Sequence, residues 1–144
     1  MNAETNPVPT YTKTLRLPSI TAEVRKVEQF ILQAHEAVHF DEDTLDCVMI
    51  SVTEAVNNAI MHGNRTNPKK YVSLTFNCYS DSFEFIVSDE GPGFDPSSVP
   101  NPIHEDNLLK EGGRGILIIT TMMDDVSFTK TPNGMKLIMR IGRS

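Results

Sequence analysis

Apolar residues recur along the chain at two spacings, and the alternation between them predicts the fold. Residues 13–17 alternate polar and apolar side chains and stop at Pro18, the pattern of a short first strand. Over residues 21–40, Val24, Val27, Ile31, Ala34 and Val38 recur at helical spacing, predicting an amphipathic helix packed by one face. A second helix follows almost at once. Asp41, Glu42 and Asp43 stand where acids favour the positive end of a helix dipole, and Gly63 is placed to end it. Val72, Leu74, Phe76 and Cys78 share one side of an extended segment, as do Phe83, Phe85 and Val87, giving two half-buried strands joined by a polar turn. Residues 116–123 read as a short apolar helix, and residues 126–130 and 135–141 as a hairpin around Pro132-Asn133-Gly134.

The predicted order is therefore β, α, α, β, β, loop, α, β, β. It corresponds to an α+β two-layer sandwich with helices on one face of a mixed sheet. Residues 1–12 are polar and proline-bearing, and are expected to form a flexible tail before a single domain over residues 13–144. Residues 96–111 hold Pro96, Pro100 and Pro102 without sustained periodicity. A stretch of that length is expected to be a functional lid.

Charge and composition narrow the function. A net charge of -6, with no basic cluster larger than Lys69-Lys70, argues against a nucleic-acid partner, which needs several cations on one face. The longest apolar runs, residues 47–50 and 116–119, are far below the roughly 20 residues that cross a bilayer. With no charged-then-apolar signal at the start, the expectation is a cytoplasmic protein without a membrane partner. Cys47 and Cys78 lack the spacing of a zinc site and read as free buried thiols.

Three segments carry candidate chemistry. On the second helix, at about 100° per residue, Glu54, Asn58 and His62 stack at i, i+4 spacing opposite the apolar stripe of Leu45, Val48, Val52, Ala55 and Ala59. A solvated polar face would look the same. The functional reading gives Asn58 oxygen to Mg²⁺ and makes Glu54 the group that orients or deprotonates a nucleophile. Asp89 has the parity of Phe83, Phe85 and Val87, so its carboxylate should point inward and need a donor, for which the exocyclic amine of adenine is a candidate. Gly91 and Gly93 follow, and they allow the backbone to approach a flat ring. Finally, Gly112, Gly113, Arg114 and Gly115 run into a helix, and the N–H groups of such a loop suit phosphate oxygens.

In order, EAVNNAIMHG, DEGPGFD and GGRGILII resemble the N box and the two glycine boxes of the GHKL ATPase superfamily. The short form, the HGN after the N box, NLLKEGGRGI and MMDDV are similar to the anti-sigma-factor serine/threonine kinases of bacterial partner-switching systems, over about residues 13–141. The resemblance implies a Bergerat-type ATP site with Asn58 on Mg²⁺, Glu54 as catalytic base and Asp89 on the adenine amine. Gly91, Gly93, Gly113 and Gly115 would shape the nucleotide loops, while His62 and Arg114 match less defined positions. It also implies a homodimer that sequesters a sigma factor and phosphorylates a STAS-domain antagonist. A non-catalytic, ATP-gated binding switch is the alternative. The catalytic domain of a histidine kinase fits less well, because the chain has no room for a phosphoacceptor hairpin. One position departs from the superfamily pattern: Met135 follows Gly134 where a threonine is usual, which implies either a weaker hold on the nucleotide or a hydrogen bond shifted to water.

Overall fold

The computed structural model describes residues 7–92 and 113–143. Strand β1 (Tyr11–Pro18) leads through a 3-10 turn (Thr21–Val24) into α1 (Arg25–Val38), followed by α2 (Glu42–Asn58) and a π-helical turn (Ala59–Gly63). Next come β2 (Tyr71–Cys78), β3 (Ser82–Asp89), α3 (Gly113–Met122), β4 (Asp125–Thr131) and β5 (Gly134–Gly142). The predicted lid at residues 96–111, together with Gly93 and Gly112, lies outside the described residues.

The strands form one sheet in the order β1-β2-β3-β5-β4. Every pairing is antiparallel, which corrects the expected mixed sheet. Two helices intervene between β1 and β2, so the chain reverses direction an odd number of times before it returns to the sheet. The strands that do run the same way are kept apart: β2 stands between β1 and β3, and β5 between β3 and β4.

Alternation puts Leu17, Val72, Leu74, Phe76, Phe83, Phe85, Val87, Leu137, Met139 and Ile141 on the face covered by the helices. Val27, Phe30, Ile31 and Ala34 of α1, with Val48, Val52, Ala55 and Val56 of α2, complete the core. At its centre Phe40 lies edge-on to Phe83 with ring centroids 4.7 Å apart, and Phe76 stacks on Phe85 at 4.7 Å. The predicted first helix was to run through Phe40, but α1 stops at Val38. His39 turns left-handed (φ 56°) and Phe40 drops into the core, its N–H donated to His35 Nδ1 at 3.2 Å. Phe40 gains more by burial than one further helical residue would contribute.

Strand β1 starts at Tyr11, two residues inside the predicted tail, because Tyr11 and Thr12 pair with Cys78 and Asn77. At the start of α2, Asp41 acts as N-cap and accepts the Thr44 N–H at 2.7 Å. Both cysteines are free thiols, Cys78 buried and Cys47 half-buried. Among the described residues the sheet's other face is mostly polar, with Pro18, Ile86 and Ile138 as apolar exceptions. There Glu84, only 4% exposed, takes two hydrogen bonds from Arg140, at 2.8 Å from Nε and 2.7 Å from an Nη.

Candidate nucleotide site

Helix α2 carries the first half of the site. It packs against α1 on one side and α3 on the other. Glu54 and Asn58 lie one turn apart and are both half-buried. They do not face open solvent, as a free polar stripe would, because the first turn of α3 comes down on them. A Cβ on Gly115 would stand 2.5 Å from Asn58 Nδ2, 3.0 Å from Glu54 Oε2 and 3.2 Å from Asn58 Oδ1. Gly115 is therefore the residue that lets two helices meet across a carboxylate and an amide.

The predicted third helix began at Ile116, but α3 begins at Gly113, so Gly113, Arg114 and Gly115 form its first turn. Glycine is a poor helix former, which is why the sequence read as loop. Here the close approach to α2 offsets that penalty. Arg114 is exposed. The N–H groups of an α-helix's first turn have no intrahelical partners and carry the positive end of the dipole, so this end of α3 is suited to an anion beside Glu54 and Asn58.

Asn58 Nδ2 is buried and has no hydrogen-bond partner among the described residues. A buried amide with an open bonding position is costly unless a ligand completes it. Around the position a Gly115 Cβ would take, Asn58 Nδ2 is nearest at 2.5 Å, with Glu54 Oε2 at 3.0 Å and Asn58 Oδ1 at 3.2 Å. The Asn58 side-chain oxygen is of the type that suits a hard cation such as Mg²⁺, which takes one or two protein oxygens and completes its shell with water and phosphate. No cluster of three or more His, Cys, Asp or Glu side chains able to hold a metal occurs among the described residues.

His62 falls in a π-turn that follows α2 directly, where i→i+5 bonding replaces the α-helical pattern. The π-turn matters for the second half of the site, because it brings Gly63 against Asp89.

Asp89 ends β3 on the inner face, as its parity predicted, beside the buried Met135 of β5. A Cβ on Gly63 would run into the Asp89 carboxylate, one on Gly91 would meet the Gly63 carbonyl oxygen, and one on Gly134 would meet the Asp89 carbonyl oxygen. Three glycines thus form a cradle around one aspartate. The bare Cα of Gly91 makes room for the Gly63 backbone. Gly63 was read only as a helix stop, and Gly134 only as a turn residue.

Burial pushes the Asp89 carboxyl above its usual range. The backbone N–H groups of Gly91 (2.9 Å to Oδ1) and Met135, and the charge of Lys70, oppose that shift without cancelling it. A desolvated acceptor held by main-chain donors is well suited to recognising a small planar donor such as an exocyclic amine.

Among the described residues, a one-layer antiparallel sheet backed by three helices, with an amide and a carboxylate under one helix N-terminus and a glycine-cradled aspartate at a strand end, defines a class of nucleotide-site proteins. Residues 17–141 match the histidine kinase-like ATPase domain family, and the chain belongs to that family. Among individual relatives it is 34% identical over 90 residues to the serine-protein kinase RsbW of Bacillus subtilis, covering 58% of this chain and 56% of that protein. It is 30% identical over 93 residues to RsbW of Oceanobacillus iheyensis, covering 60% of this chain and 59% of the relative. A longer match, 28% identical over 123 residues, joins it to RsbW of Staphylococcus epidermidis, covering 81% and 77% respectively. The matches thus span between half and two thirds of the first two relatives. In three dimensions the chain resembles the crystal structure of the RsbU and RsbW domains of a Mycobacterium tuberculosis protein, with a TM-score of 0.68 at 14% identity, over 94% of this chain and 33% of that one. Among the described residues no helix is long and apolar enough to cross a membrane.

Proposed function

We propose that the protein is an ATP-dependent serine/threonine protein kinase and anti-sigma factor, in which one domain over residues 13–144 binds Mg·ATP. The observation that carries this reading is the convergence of Glu54 and Asn58 on Gly115, under the N-terminus of α3. Asp89 accepts a hydrogen bond from the adenine amine. The phosphates lie against the first turn of α3, where Gly113 and Gly115 leave the backbone open and Arg114 adds charge. Asn58 offers its side-chain oxygen to Mg²⁺, which, when bound, neutralises charge on the phosphate oxygens. Glu54 receives the proton of the attacking serine or threonine hydroxyl, so that little covalent chemistry is left to the protein beyond positioning. His62 borders the same nucleotide in this reading.

The names of the relatives support a kinase activity, and the resemblance to partner-switching kinases supplies the partners: a STAS-domain antagonist as substrate, a sigma factor as the sequestered protein, and a second copy of the chain. Such a protein works in the cytoplasm. A second reading, an ATP-gated binding switch without turnover, is favoured by Met135, which puts a thioether beside Asp89 where the superfamily carries a hydroxyl. The deciding experiment is transfer of labelled γ-phosphate from Mg·ATP to a STAS-domain protein encoded beside this one. Transfer that vanishes in Asn58→Ala supports the kinase. Tight ATP binding without transfer supports the switch, and absence of ATP binding refutes both.

A further inference from the structure

Asn64 follows the π-turn and is only 3% exposed. Its side chain joins three separate stretches of chain. Nδ2 donates to Ser19 Oγ at 2.8 Å and to the Tyr71 carbonyl at 3.0 Å, while Oδ1 accepts the Glu90 N–H at 2.8 Å. Both amide protons and one lone pair are thereby used, a near-complete set for an asparagine. The partners are themselves fixed. Ser19 is fully buried, and both its hydroxyl (2.8 Å) and its N–H (3.0 Å) donate to the Lys70 carbonyl. The Glu90 carboxylate in turn accepts the Tyr71 N–H.

The end of β1, the start of β2 and the loop after β3 therefore meet at one buried amide. Asp89 immediately precedes Glu90. On its other side Asn64 is tied to α2, because its N–H donates to the Ala59 carbonyl at 2.8 Å, one residue beyond Asn58. We infer that Asn64 is a positioning residue of the nucleotide site, fixing Asp89 relative to the Glu54–Asn58 end of α2 so that base and phosphates are held in register. This rests on the ATP reading given above. Asn64 touches no ligand; it acts through the Glu90 N–H and the π-turn.

A residue that only stabilised the fold would lower the melting temperature and leave the base preference of the folded protein unchanged. A positioning residue would change that preference, because a carboxylate favours the 6-amino group of adenine and opposes the 6-carbonyl of guanine. The test is calorimetric measurement of Mg·ATP and Mg·GTP dissociation constants for wild type, Asn64→Ala and Ser19→Ala, each below its own melting temperature. Asn64→Ala is expected to weaken ATP binding by roughly 10- to 100-fold, the scale set by misplacement of about 1 Å, with much less effect on GTP. Ser19→Ala, which removes one support of the amide, should move the ATP-to-GTP ratio the same way by a smaller factor. Equal loss for both nucleotides, or an unchanged ratio, overturns the inference. If Asn64→Ala does not fold, the ratio in Ser19→Ala decides by the same criterion. A wild-type protein without preference for ATP removes the ATP reading, and this inference with it.

Discussion

Gly115→Ala separates site geometry from fold stability. The added Cβ would lie 2.5 Å from Asn58 Nδ2, against an ordinary contact of at least 3.4 Å, so the amide must retreat by about 0.9 Å. It must also clear Glu54 Oε2 at 3.0 Å. Both atoms end flexible side chains, so the backbone need not move. Overpacking a core costs about 1–3 kcal/mol, and the low end applies here because two χ rotations relieve the clash. Exchanging glycine for alanine within a helix returns up to about 1 kcal/mol. The net change in stability is therefore within about 1 kcal/mol, a few degrees in melting temperature for a domain of this size. The functional cost is much larger, since a displacement near 1 Å at positioned groups is worth about 100-fold. Thermal melts alongside Mg·ATP titration and phosphotransfer assays would separate the two. Near-native stability with transfer reduced about 100-fold is the expected outcome. A variant that matched wild type in transfer, while Asn58→Ala lost it, would refute the idea that Gly115 positions these groups.

Three further substitutions probe the rest of the molecule. Asp89→Asn should lose roughly 10- to 100-fold in ATP affinity, the worth of a charge-assisted hydrogen bond of about 1.5–3 kcal/mol, yet melt higher than wild type at pH 7. The sign follows from its raised pKa: the stabilising contribution of the protonated carboxyl is complete below the unfolded value of about 3.9 and is lost as pH rises through the folded value, so the variant's advantage should fade on acidification. Met135→Thr, which puts a hydroxyl beside Asp89, should tighten ATP binding by about 2- to 10-fold, one net hydrogen bond; unchanged affinity in a titration would show that Met135 is no handicap. Arg140→Leu strands the buried Glu84 carboxylate with Asn77 and Tyr79 as its partners among the described residues, and chemical denaturation should report a loss of about 2–3 kcal/mol. That is below the cost for a fully buried pair, because the Arg140 side chain is half exposed.

Much of the fold was legible because the period-2 strands are clean. Val72, Leu74, Phe76 and Cys78 lie on the core face as their alternation predicted, and the same parity carried Asp89 inward. The features that escaped depend on contacts between distant residues. Nothing in Ala59, Ile60 and Met61 announces a π-turn, because apolar residues continue to suit an α-helix through that stretch. Gly113 and Gly115 read as loop because local propensity opposes a helix there, and only the side chains of α2 explain why no Cβ is allowed at Gly115. The cradle around Asp89 is assembled from Gly63, Gly91 and Gly134, which come from three separate stretches of the chain. Asn64 stood next to a recognised motif, but an asparagine in a polar segment gives no local sign that it is buried.

The two halves of the site share a thermodynamic character. Asp89 is a carboxylate whose charged form is disfavoured by burial, and Asn58 Nδ2 is a buried donor without a partner among the described residues. Each is less comfortable in the folded chain than in water, and a ligand offering an amine at one end and an anion-metal pair at the other would relieve both. Natural proteins tend to leave local inconsistency of this kind at functional sites. The surrounding structure supplies the offset, through the aromatic cluster of Phe40, Phe76, Phe83 and Phe85 behind the sheet's inner face and the glycine contacts that hold both groups in place. A ligand that binds the native chain raises its stability by mass action, about 2.7 kcal/mol at a hundred times its dissociation constant. Mg·ATP should therefore raise the melting temperature of wild type clearly, and that of Asp89→Asn and Asn58→Ala much less at the same concentration. An equal rise in all three would mean that the nucleotide is held elsewhere.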